Sequence, residues 1–196
     1  MQGMLKPLLV STENGSTAVL TPREWMLLKE KLNTDYKIRG EYLLQTAMRI
    51  SEAHYVAGRP ECYRKENMAI FLPRVDGMGK KKCLQKSRAV LLSPSGATAV
   101  ESLFEHHVTL PSYQAMEPAF KRAAKEANID PSCITTKMFR KTMISWLMVC
   151  YPEKQAQIAH SAGHNYETML GHYLMYGFTK EDQRDMKEKT KGWGEA

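Results

Sequence analysis

The sequence predicts an α+β domain that is mainly α-helical and carries a small antiparallel β-sheet or hairpin. Two observations support the helices: a capping box precedes the first of them, and apolar residues recur at helical spacing. One observation supports the sheet: two short apolar runs, residues 68–72 and 89–92, are bounded by turn residues. No internal repeat or low-complexity tract divides the sequence, which favours a single domain.

The N-terminal part is predicted to hold a polar stretch followed by two helices. Residues 11–18 are typical of a flexible lead-in or a polar turn. The run Thr21-Pro22-Arg23-Glu24 supplies an N-cap, a proline at the first helical position and an acidic residue at the third. This capping box predicts a helix that continues to residue 32. A second helix is predicted over residues 35–51.

The middle and C-terminal parts are predicted to hold the sheet and the remaining helices. Residues 68–72 and 89–92 are interpreted as strands, and the basic connection between them contains Asp76-Gly77-Met78-Gly79. Together they predict an antiparallel hairpin with a cationic tip. Further helices are predicted at residues 97–104, 113–128, 135–149, 154–160 and 180–191.

Composition limits the classes of function. The 196 residues are 43% hydrophobic and 25% charged, which is typical of a globular domain with one sizeable core. A net charge of +7 favours a polyanionic partner, because each lysine or arginine near a phosphate releases condensed counterions. The alternative is a mildly basic protein whose charge has no functional meaning.

Cysteine spacing and hydropathy exclude several other classes. The four cysteines form no Cys-x-x-Cys pair, so neither a zinc site nor a disulfide scaffold is expected. No apolar run approaches the roughly 20 residues that a membrane-spanning helix requires. The N-terminal apolar stretch is too short for a signal peptide. We therefore expect an intracellular protein.

Lys137 and Arg140 lie three residues apart, which places them on one face of a helix. A guanidinium group can meet two phosphate oxygens at once, and this makes Arg140 a candidate for stabilising the charge of phosphoryl transfer. Lys137 is a candidate for contacting the same phosphate or for helping with proton transfer. The alternative is a solvated basic face that also includes Lys141.

Arg49 and Glu52 form a second pair with helical spacing. A structural ion pair explains this spacing without any function. In the other interpretation, the glutamate orients the Arg49 guanidinium toward a phosphate, opposite Arg140.

His164 and Tyr173 are nine residues apart, which on one continuous helix puts their side chains about 180° apart. They converge on one phosphate only if the helix breaks between them, and Gly171 and the polar stretch at residues 165–168 offer places for that break. Tyr173 would then be a nucleophile that forms a covalent phosphotyrosine, and His164 would contact the phosphate or act as general acid–base. Tyr166 and Tyr176 are rival nucleophiles. A buried tyrosine with a satisfied hydroxyl group is the alternative.

The basic hairpin supplies candidates for protonating a leaving 5′-hydroxyl group. Its lysines are Lys80, Lys81, Lys82 and Lys86. Attraction to the DNA backbone is the alternative role, and we expect most of them to do only that.

Four stretches, taken in order, resemble the catalytic domain of the tyrosine recombinase family, which includes phage and archaeal-virus integrases and Xer-type recombinases. Residues 19–24 resemble the opening of that domain, and residues 46–52 resemble its first arginine box. Residues 136–142 resemble its second box. Residues 162–164, with a tyrosine nine positions later, resemble its last box and nucleophile.

The resemblance implies a division of the chain and a set of roles. Residues 1–18 would be a lead-in or linker remnant, residues 19–178 the catalytic domain and residues 179–196 a helical tail. The implied reaction is site-specific DNA cleavage and rejoining through a 3′-phosphotyrosine, without metal or cofactor. The implied catalytic residues are Tyr173, Arg49, Arg140, Lys137, His164 and Lys82. The implied DNA-binding residues are Lys80, Lys81, Lys86 and Lys141.

Two departures from the family pattern are visible. Lys137 stands where histidine is usual, which resembles archaeal and archaeal-virus members, and Ala47 stands where glycine is common. The hairpin lysine has no unique assignment, since distance from the next strand favours Lys82 and then Lys86.

The resemblance also implies partners. One partner is double-stranded DNA that carries attachment sites. The others are further copies of the chain, which would form a homotetramer on the DNA and exchange C-terminal segments. Residues 180–191 are a candidate for the exchanged segment. The source would be a virus or mobile element that integrates its DNA. The chain would be a fragment without the family's N-terminal DNA-binding domain, with an unusually short recombinase as the alternative. The alternatives are a DNA-relaxing enzyme like the type IB topoisomerases, a non-catalytic DNA-binding protein of the same fold and an unrelated basic helical scaffold.

Overall fold

A computed structural model describes residues 4–12, 15–74, 87–164 and 177–195. Helices account for most of these residues, and two small antiparallel sheets account for the strands. The predicted α+β, mainly α-helical architecture is therefore confirmed. The helices are α1 (Pro22–Glu30), α2 (Thr34–Thr46), α3 (Ile50–Ala57), α4 (Pro94–Glu105), α5 (Tyr113–Glu126), α6 (Lys137–Cys150), α7 (Gln155–Ala162) and α8 (Lys180–Thr190). The strands are β1 (Leu8–Thr12), β2 (Gly15–Val19), β3 (Tyr63–Arg64), β4 (Ala69–Leu72) and β5 (Arg88–Leu91).

The central sheet has the order β3-β4-β5, and both of its pairings are antiparallel. Its β4–β5 register sets Ala69 opposite Leu91 and Leu72 opposite Arg88. The two strands predicted at residues 68–72 and 89–92 are confirmed to within a residue. The short strand β3 was not predicted, because two residues carry too little pattern to be recognised.

A second sheet pairs β1 with β2 where the sequence predicts a lead-in or a polar turn. Burial against α6 explains the difference, since residues 17–19 are almost completely buried despite the polar residues before them. The hydroxyl groups of Thr17 and Thr135 are hydrogen-bonded at 2.9 Å, and Leu20 donates its backbone N–H to Thr142 Oγ1 at 3.0 Å. Tertiary contacts therefore determine that this segment forms strands.

Helix α1 begins as the capping box predicts. The Thr21 hydroxyl accepts from the Glu24 backbone N–H at 3.2 Å, and the Glu24 carboxylate accepts from the Thr21 backbone N–H at 2.8 Å. Trp25 and Leu28 then face the core, and the helix ends at Glu30, two residues before the predicted end. The predicted helix is confirmed.

The predicted continuous helix over residues 35–51 is wrong, because the chain breaks between α2 and α3. Ala47 ends α2 in the left-handed region, with φ of +48°. Arg49 is the N-cap of α3, and its backbone N–H donates to Glu52 Oε2 at 2.8 Å. The Tyr42 hydroxyl group bridges the break by donating to Ala53 O at 3.0 Å. Arg49 is thus held at a corner rather than along a helix.

Helix α6 lies at the centre of the core. It packs against α2, α8 and β2, and most of its residues are buried. Trp146 donates its indole N–H to Leu20 O at 2.8 Å, which joins α6 to the start of α1. Phe139 stacks edge-on with Trp25 and Phe120, at centroid distances of 5.7 Å and 4.8 Å. This packing fixes α6, which carries Arg140.

Replacing Gly40 with alanine is expected to lower the free energy of unfolding by about 1–3 kcal/mol. The new Cβ atom would lie 2.6 Å from Trp25 Cη2 and 3.4 Å from Phe120 Cε1, so the aromatic cluster must shift. Gly58→Ala is the matched control, because no heavy atom lies within 4 Å of the added carbon. Urea denaturation of both variants checks the difference. Equal stability would contradict the packing described for α2.

The C-terminal segment packs on its own domain. Helix α8 contacts α6 and α1, and Met186 is completely buried. The Tyr151 hydroxyl group donates to Thr190 O at 2.8 Å, and the Trp193 indole N–H donates to Leu91 O at 3.0 Å. The helix predicted at residues 180–191 is confirmed. In the single chain it covers the core, whereas the exchange of this segment between subunits stays a prediction.

Candidate active site

Helix α7 ends in a hydrogen-bonding pattern that favours glycine. Gly163 adopts a left-handed conformation with φ of +66° and donates its N–H to His160 O at 2.9 Å. His164 donates its backbone N–H to Ala159 O at 2.9 Å. This is the Schellman motif, in which glycine stops the helix and its last carbonyl groups turn outward. His164 is therefore placed directly beyond a helix C-terminus.

Three arginines bind to this end of α7. The carbonyl groups of residues 161–163 each accept a hydrogen bond from a different guanidinium group. The C-terminal end of a helix carries partial negative charge, so cations are stabilised there. The site therefore gathers positive charge from three separate parts of the chain. Arg88 Nε donates to Ser161 O at 2.9 Å, Arg140 Nη2 to Ala162 O at 2.5 Å and Arg49 Nη2 to Gly163 O at 2.8 Å.

Arg49 reaches α7 from the corner between α2 and α3. Its Nη1 donates to Glu52 Oε1 at 2.8 Å, while its Nη2 donates to Gly163 O. The side chain remains 41% exposed, so the guanidinium group is accessible to a ligand. The ion pair predicted for Arg49 and Glu52 is present, and it orients the guanidinium group toward α7.

Arg140 reaches the same end of α7 from the second turn of α6. Its Nη1 donates to Ala47 O at 2.7 Å, at the break that precedes Arg49. Arg140 therefore joins three elements: α6, the end of α2 and the end of α7. The structure brings Arg49, Arg140 and His164 together, as the sequence predicts.

Glu52 is the acidic centre of the site and is completely buried. Its Oε1 accepts from Nη1 of Arg49 at 2.8 Å and from Nη1 of Arg88 at 3.0 Å. Its Oε2 accepts from the Arg49 backbone N–H at 2.8 Å and from Nη2 of Arg88 at 2.7 Å. Burial alone would raise the pKa of Glu52, but the hydrogen bonds and charges of Arg88 and Arg49 outweigh it and hold the pKa at about 2.

His164 is neutral at physiological pH in this setting. Burial and the neighbouring cations lower the pKa of its imidazole to about 3, and those cations include Arg140, Arg49 and Lys141. Burial and Arg140 likewise lower the pKa of the Lys141 ammonium group. Lys141 therefore belongs to the electrostatic environment of His164.

The free energy of unfolding is expected to fall as pH is lowered below about 6.5. Between 6.5 and about 3, unfolded His164 binds a proton that the folded protein excludes, so each pH unit costs up to about 1.4 kcal/mol. Glu52 acts in the same direction between 4.5 and about 2. Urea denaturation at pH 7, 6 and 5 should show a flatter profile for His164→Gln. The exposed His106→Gln variant is the control, and parallel profiles for all three proteins would contradict the assignment.

Lys137 is the first residue of α6 and is exposed, one turn before Arg140. It therefore lies on the side of α6 from which Arg140 reaches the site, and its contact with a phosphate stays a prediction. The remaining predicted site residues, together with the rival nucleophiles, lie outside the described residues. They are Tyr173, Tyr166, Tyr176, Lys80, Lys81, Lys82 and Lys86.

Arg88 lies in the site but was not predicted from the sequence. It is the first residue of β5, and its side chain is 5% exposed. A signal was present, because Arg88 alternates with Val90 on the inward face of a strand that is otherwise apolar. A charged residue at an inward position of a strand predicts a buried partner of opposite charge.

The ranges that the structure describes contain no metal-binding cluster and no membrane-spanning helix. No group of three or more His, Cys, Asp or Glu side chains there is arranged to hold a metal ion. Cys62, Cys133 and Cys150 are free thiols. Across the same ranges, every helix is too short or too polar to cross a membrane.

Solved structures share this fold. XerA recombinase aligns with 88% of the chain at a TM-score of 0.60 and 15% identity. The Tn1549 transposon integrase, solved with circular intermediate DNA, aligns with 88% at a TM-score of 0.61 and 17% identity. XerH site-specific recombinase, bound to its difH substrate before cleavage, aligns with 77% at a TM-score of 0.55 and 17% identity.

The TM-scores establish similarity of fold, and the predicted tyrosine recombinase catalytic-domain fold is confirmed at that level. The chain spans 63%, 66% and 48% of the XerA, Tn1549 and XerH chains, so it corresponds to only part of each. No protein-family model and no curated protein sequence matches the chain.

Proposed function

We propose that the chain is the catalytic domain of a site-specific tyrosine recombinase. In this proposal it cleaves and rejoins DNA through a covalent 3′-phosphotyrosine. The observation that carries the proposal is the convergence of Arg49, Arg140 and His164 at the end of α7. These residues come from three separate elements, and two of the guanidinium groups are bound to adjacent carbonyl groups. The fold shared with the recombinases and the integrase supports the same reaction.

The charge of the cluster favours a phosphodiester as its ligand. Arg49, Arg88, Arg140 and Lys141 all act on the His164 imidazole, and Glu52 is the carboxylate bound among them. Four basic groups around one acidic group leave an excess of positive charge. Phosphate oxygens meet guanidinium donors in a geometry that lysine cannot reproduce. The site is therefore suited to the developing charge of a pentacoordinate transition state.

The proposed reaction begins when Tyr173 Oη attacks the phosphorus atom. The phenolic proton passes to His164, the bond to the 5′-oxygen breaks, and Lys82 protonates that oxygen. The products are a 3′-phosphotyrosine and a free 5′-hydroxyl group. Arg49 and Arg140 stabilise the charge on the phosphate oxygens with help from Lys137. A bound phosphodiester anion offsets the cations that lower the pKa of His164, so the imidazole becomes more basic when DNA is present.

Rejoining is the reverse of cleavage with a 5′-hydroxyl group from a second strand. The covalent link conserves the bond energy, so no nucleotide cofactor is needed. The proposed partners are attachment sites on double-stranded DNA and three further copies of the chain, with Lys80, Lys81, Lys86 and Lys141 on the DNA backbone. The proposed source is a virus or mobile element, with Lys137 in the place of the usual histidine favouring an archaeal-virus type, and the proposed location is inside the cell.

A nicked suicide DNA substrate tests the function directly, because the short fragment that carries the freed 5′-hydroxyl group dissociates and traps the covalent intermediate. We expect a DNA–protein adduct, with the nucleotide mapped by peptide mass spectrometry to Tyr173. Tyr173→Phe should abolish the adduct and retain salt-dependent DNA binding. Tyr166→Phe and Tyr176→Phe are the matched controls and should form the adduct normally.

Other results would support other functions. An adduct on Tyr166 or Tyr176 would overturn the assignment of the nucleophile. Relaxation of plasmid without a defined site or recombinant product would favour a topoisomerase-like enzyme. DNA binding without any adduct would favour a non-catalytic DNA-binding protein.

A further inference from the structure

Each nitrogen of the Arg88 guanidinium group donates a hydrogen bond inside the protein. Its Nε donates to Ser161 O at 2.9 Å, and Nη1 and Nη2 donate to the two oxygens of Glu52 at 3.0 Å and 2.7 Å. With only 5% of its side chain exposed, Arg88 offers DNA almost no surface to contact. Arg49 binds the same carboxylate, but its side chain is 41% exposed. The two arginines that share Glu52 therefore differ in what they can reach.

Arg88 joins the two segments that present the candidate catalytic groups. On one side it holds Glu52, which in turn holds the backbone and the guanidinium group of Arg49. On the other side it holds the last turn of α7, directly before His164. The neighbouring bond from the Leu91 backbone N–H to Ser161 Oγ, at 2.9 Å, ties the same strand to the same turn.

The fit between Arg88 and α7 is also steric. A Cβ atom on Gly163 would lie 2.9 Å from both Cζ and Nε of Arg88, which is closer than carbon atoms pack. The guanidinium group of Arg88 therefore occupies the space that a side chain at position 163 would need. Glycine at this position serves both the left-handed helix end and the close approach of Arg88.

We propose that Arg88 is a positioning residue: by binding Glu52 and the end of α7 at once, it fixes the Arg49 guanidinium group and the His164 imidazole relative to each other. This inference rests on the proposed function, since it concerns the geometry of the same reaction. A misplacement of about 1 Å in a reacting group costs on the order of 10²-fold in rate, so a residue that never touches DNA can control cleavage.

Stability alone is a weak explanation for a buried arginine at this place. Buried ion pairs are often no more stable than apolar side chains of similar volume, because both charges must be desolvated. A lysine would keep the charge, but its single nitrogen cannot bind both carboxylate oxygens and a carbonyl in this fork geometry. Arg88→Lys therefore shows whether the positive charge alone is sufficient or whether the arrangement of the donors is also needed.

The test compares Arg88→Lys and Arg88→Met with the wild-type chain on the suicide substrate at saturating DNA. We expect the rate of adduct formation to fall about 10- to 100-fold in both variants. The dissociation constant for intact DNA should change less than about threefold, because Arg88 is buried. Arg39→Lys is the matched control, since Arg39 also binds a carboxylate and a backbone carbonyl, at Asp35 and Thr109. It should cleave at the wild-type rate.

A pH profile distinguishes positioning from a merely structural role. Glu52 faces Arg49 and Arg88, and His164 faces Arg140, Arg49, Lys141 and Arg88. Removing Arg88 takes away the hydrogen bond and charge that most lower the pKa of Glu52, so Glu52 should protonate at higher pH. The acidic limb of the cleavage profile in Arg88→Met is therefore expected to move to higher pH, and Arg88→Lys should move it less.

Each outcome bears on the proposal. A folded Arg88→Lys variant with the wild-type cleavage rate and pH profile would overturn it. Failure of both variants to fold at the assay temperature, followed by circular dichroism, would assign Arg88 to the stability of the domain and overturn it too. If the wild-type chain forms no adduct, both the proposed function and this inference are contradicted. If it forms an adduct at a rate that the Arg88 substitutions do not change, only the inference is contradicted.

Discussion

Arg49→Lys and Arg140→Lys should each slow DNA cleavage by about 10²- to 10³-fold, the usual effect of losing one transition-state donor. Both guanidinium groups are bound to carbonyl groups at the end of α7, 2.8 Å and 2.5 Å away, and those bonds fix their orientation. Lysine keeps the positive charge but loses the paired donors that hold a carbonyl and a phosphate at the same time. Single-turnover adduct formation at saturating DNA measures the loss.

DNA affinity should change less than about tenfold in the same variants, because most of it comes from many dispersed contacts to phosphates. Arg122→Lys provides the matched control, since Arg122 is exposed on α5. It is expected to cleave at the wild-type rate. If either Arg49→Lys or Arg140→Lys cleaves DNA at the wild-type rate, that arginine has no role in the reaction.

The largest loss of stability is expected for Glu52→Leu, at about 3–5 kcal/mol in the free energy of unfolding. The substitution leaves the buried Arg88 guanidinium group without a counter-charge and removes the N-terminal cap of α3. Chemical denaturation followed by circular dichroism measures the effect. Lys65→Met breaks an exposed ion pair with Glu101 and is the control, for which we expect less than about 1 kcal/mol.

A double-mutant cycle isolates the contribution of the pair. Adding Arg88→Met to Glu52→Leu should recover part of the lost stability, because no uncompensated charge remains in the core. Destabilisation of the double variant by the full sum of the two single effects would show that the carboxylate and the guanidinium group do not interact across the site.

Local signals predicted a large part of the fold. The Thr21–Glu24 capping box gave the start of α1, and the apolar runs gave β4 and β5. The break after α2 was not predicted, because it depends on a left-handed Ala47 and on the tertiary contacts of Glu52. Helical propensity continues across such a break, and only the folded environment overrides it.

In the candidate site, too, some residues were predicted from the sequence and others depend on tertiary contacts. Motif spacing singled out Arg49, Arg140 and His164, and the structure brings them together. Arg88 was missed because its importance comes from a partner 36 residues away, Glu52, rather than from its neighbours in the sequence. The acceptors at the end of α7 are backbone carbonyl groups, which every residue has and which no sequence pattern reveals. The roles assigned to Tyr173 and Lys82 stay predictions.

Cleavage of a suicide substrate with a methylphosphonate at the scissile position tests the central claim most directly. Replacing one non-bridging oxygen with a methyl group removes the negative charge that Arg49 and Arg140 are proposed to neutralise. If they act on that charge, Arg140→Ala should cleave the uncharged linkage at least about tenfold faster than the natural phosphodiester. A folded, DNA-binding Arg140→Ala variant that gains nothing from the uncharged linkage would contradict the account.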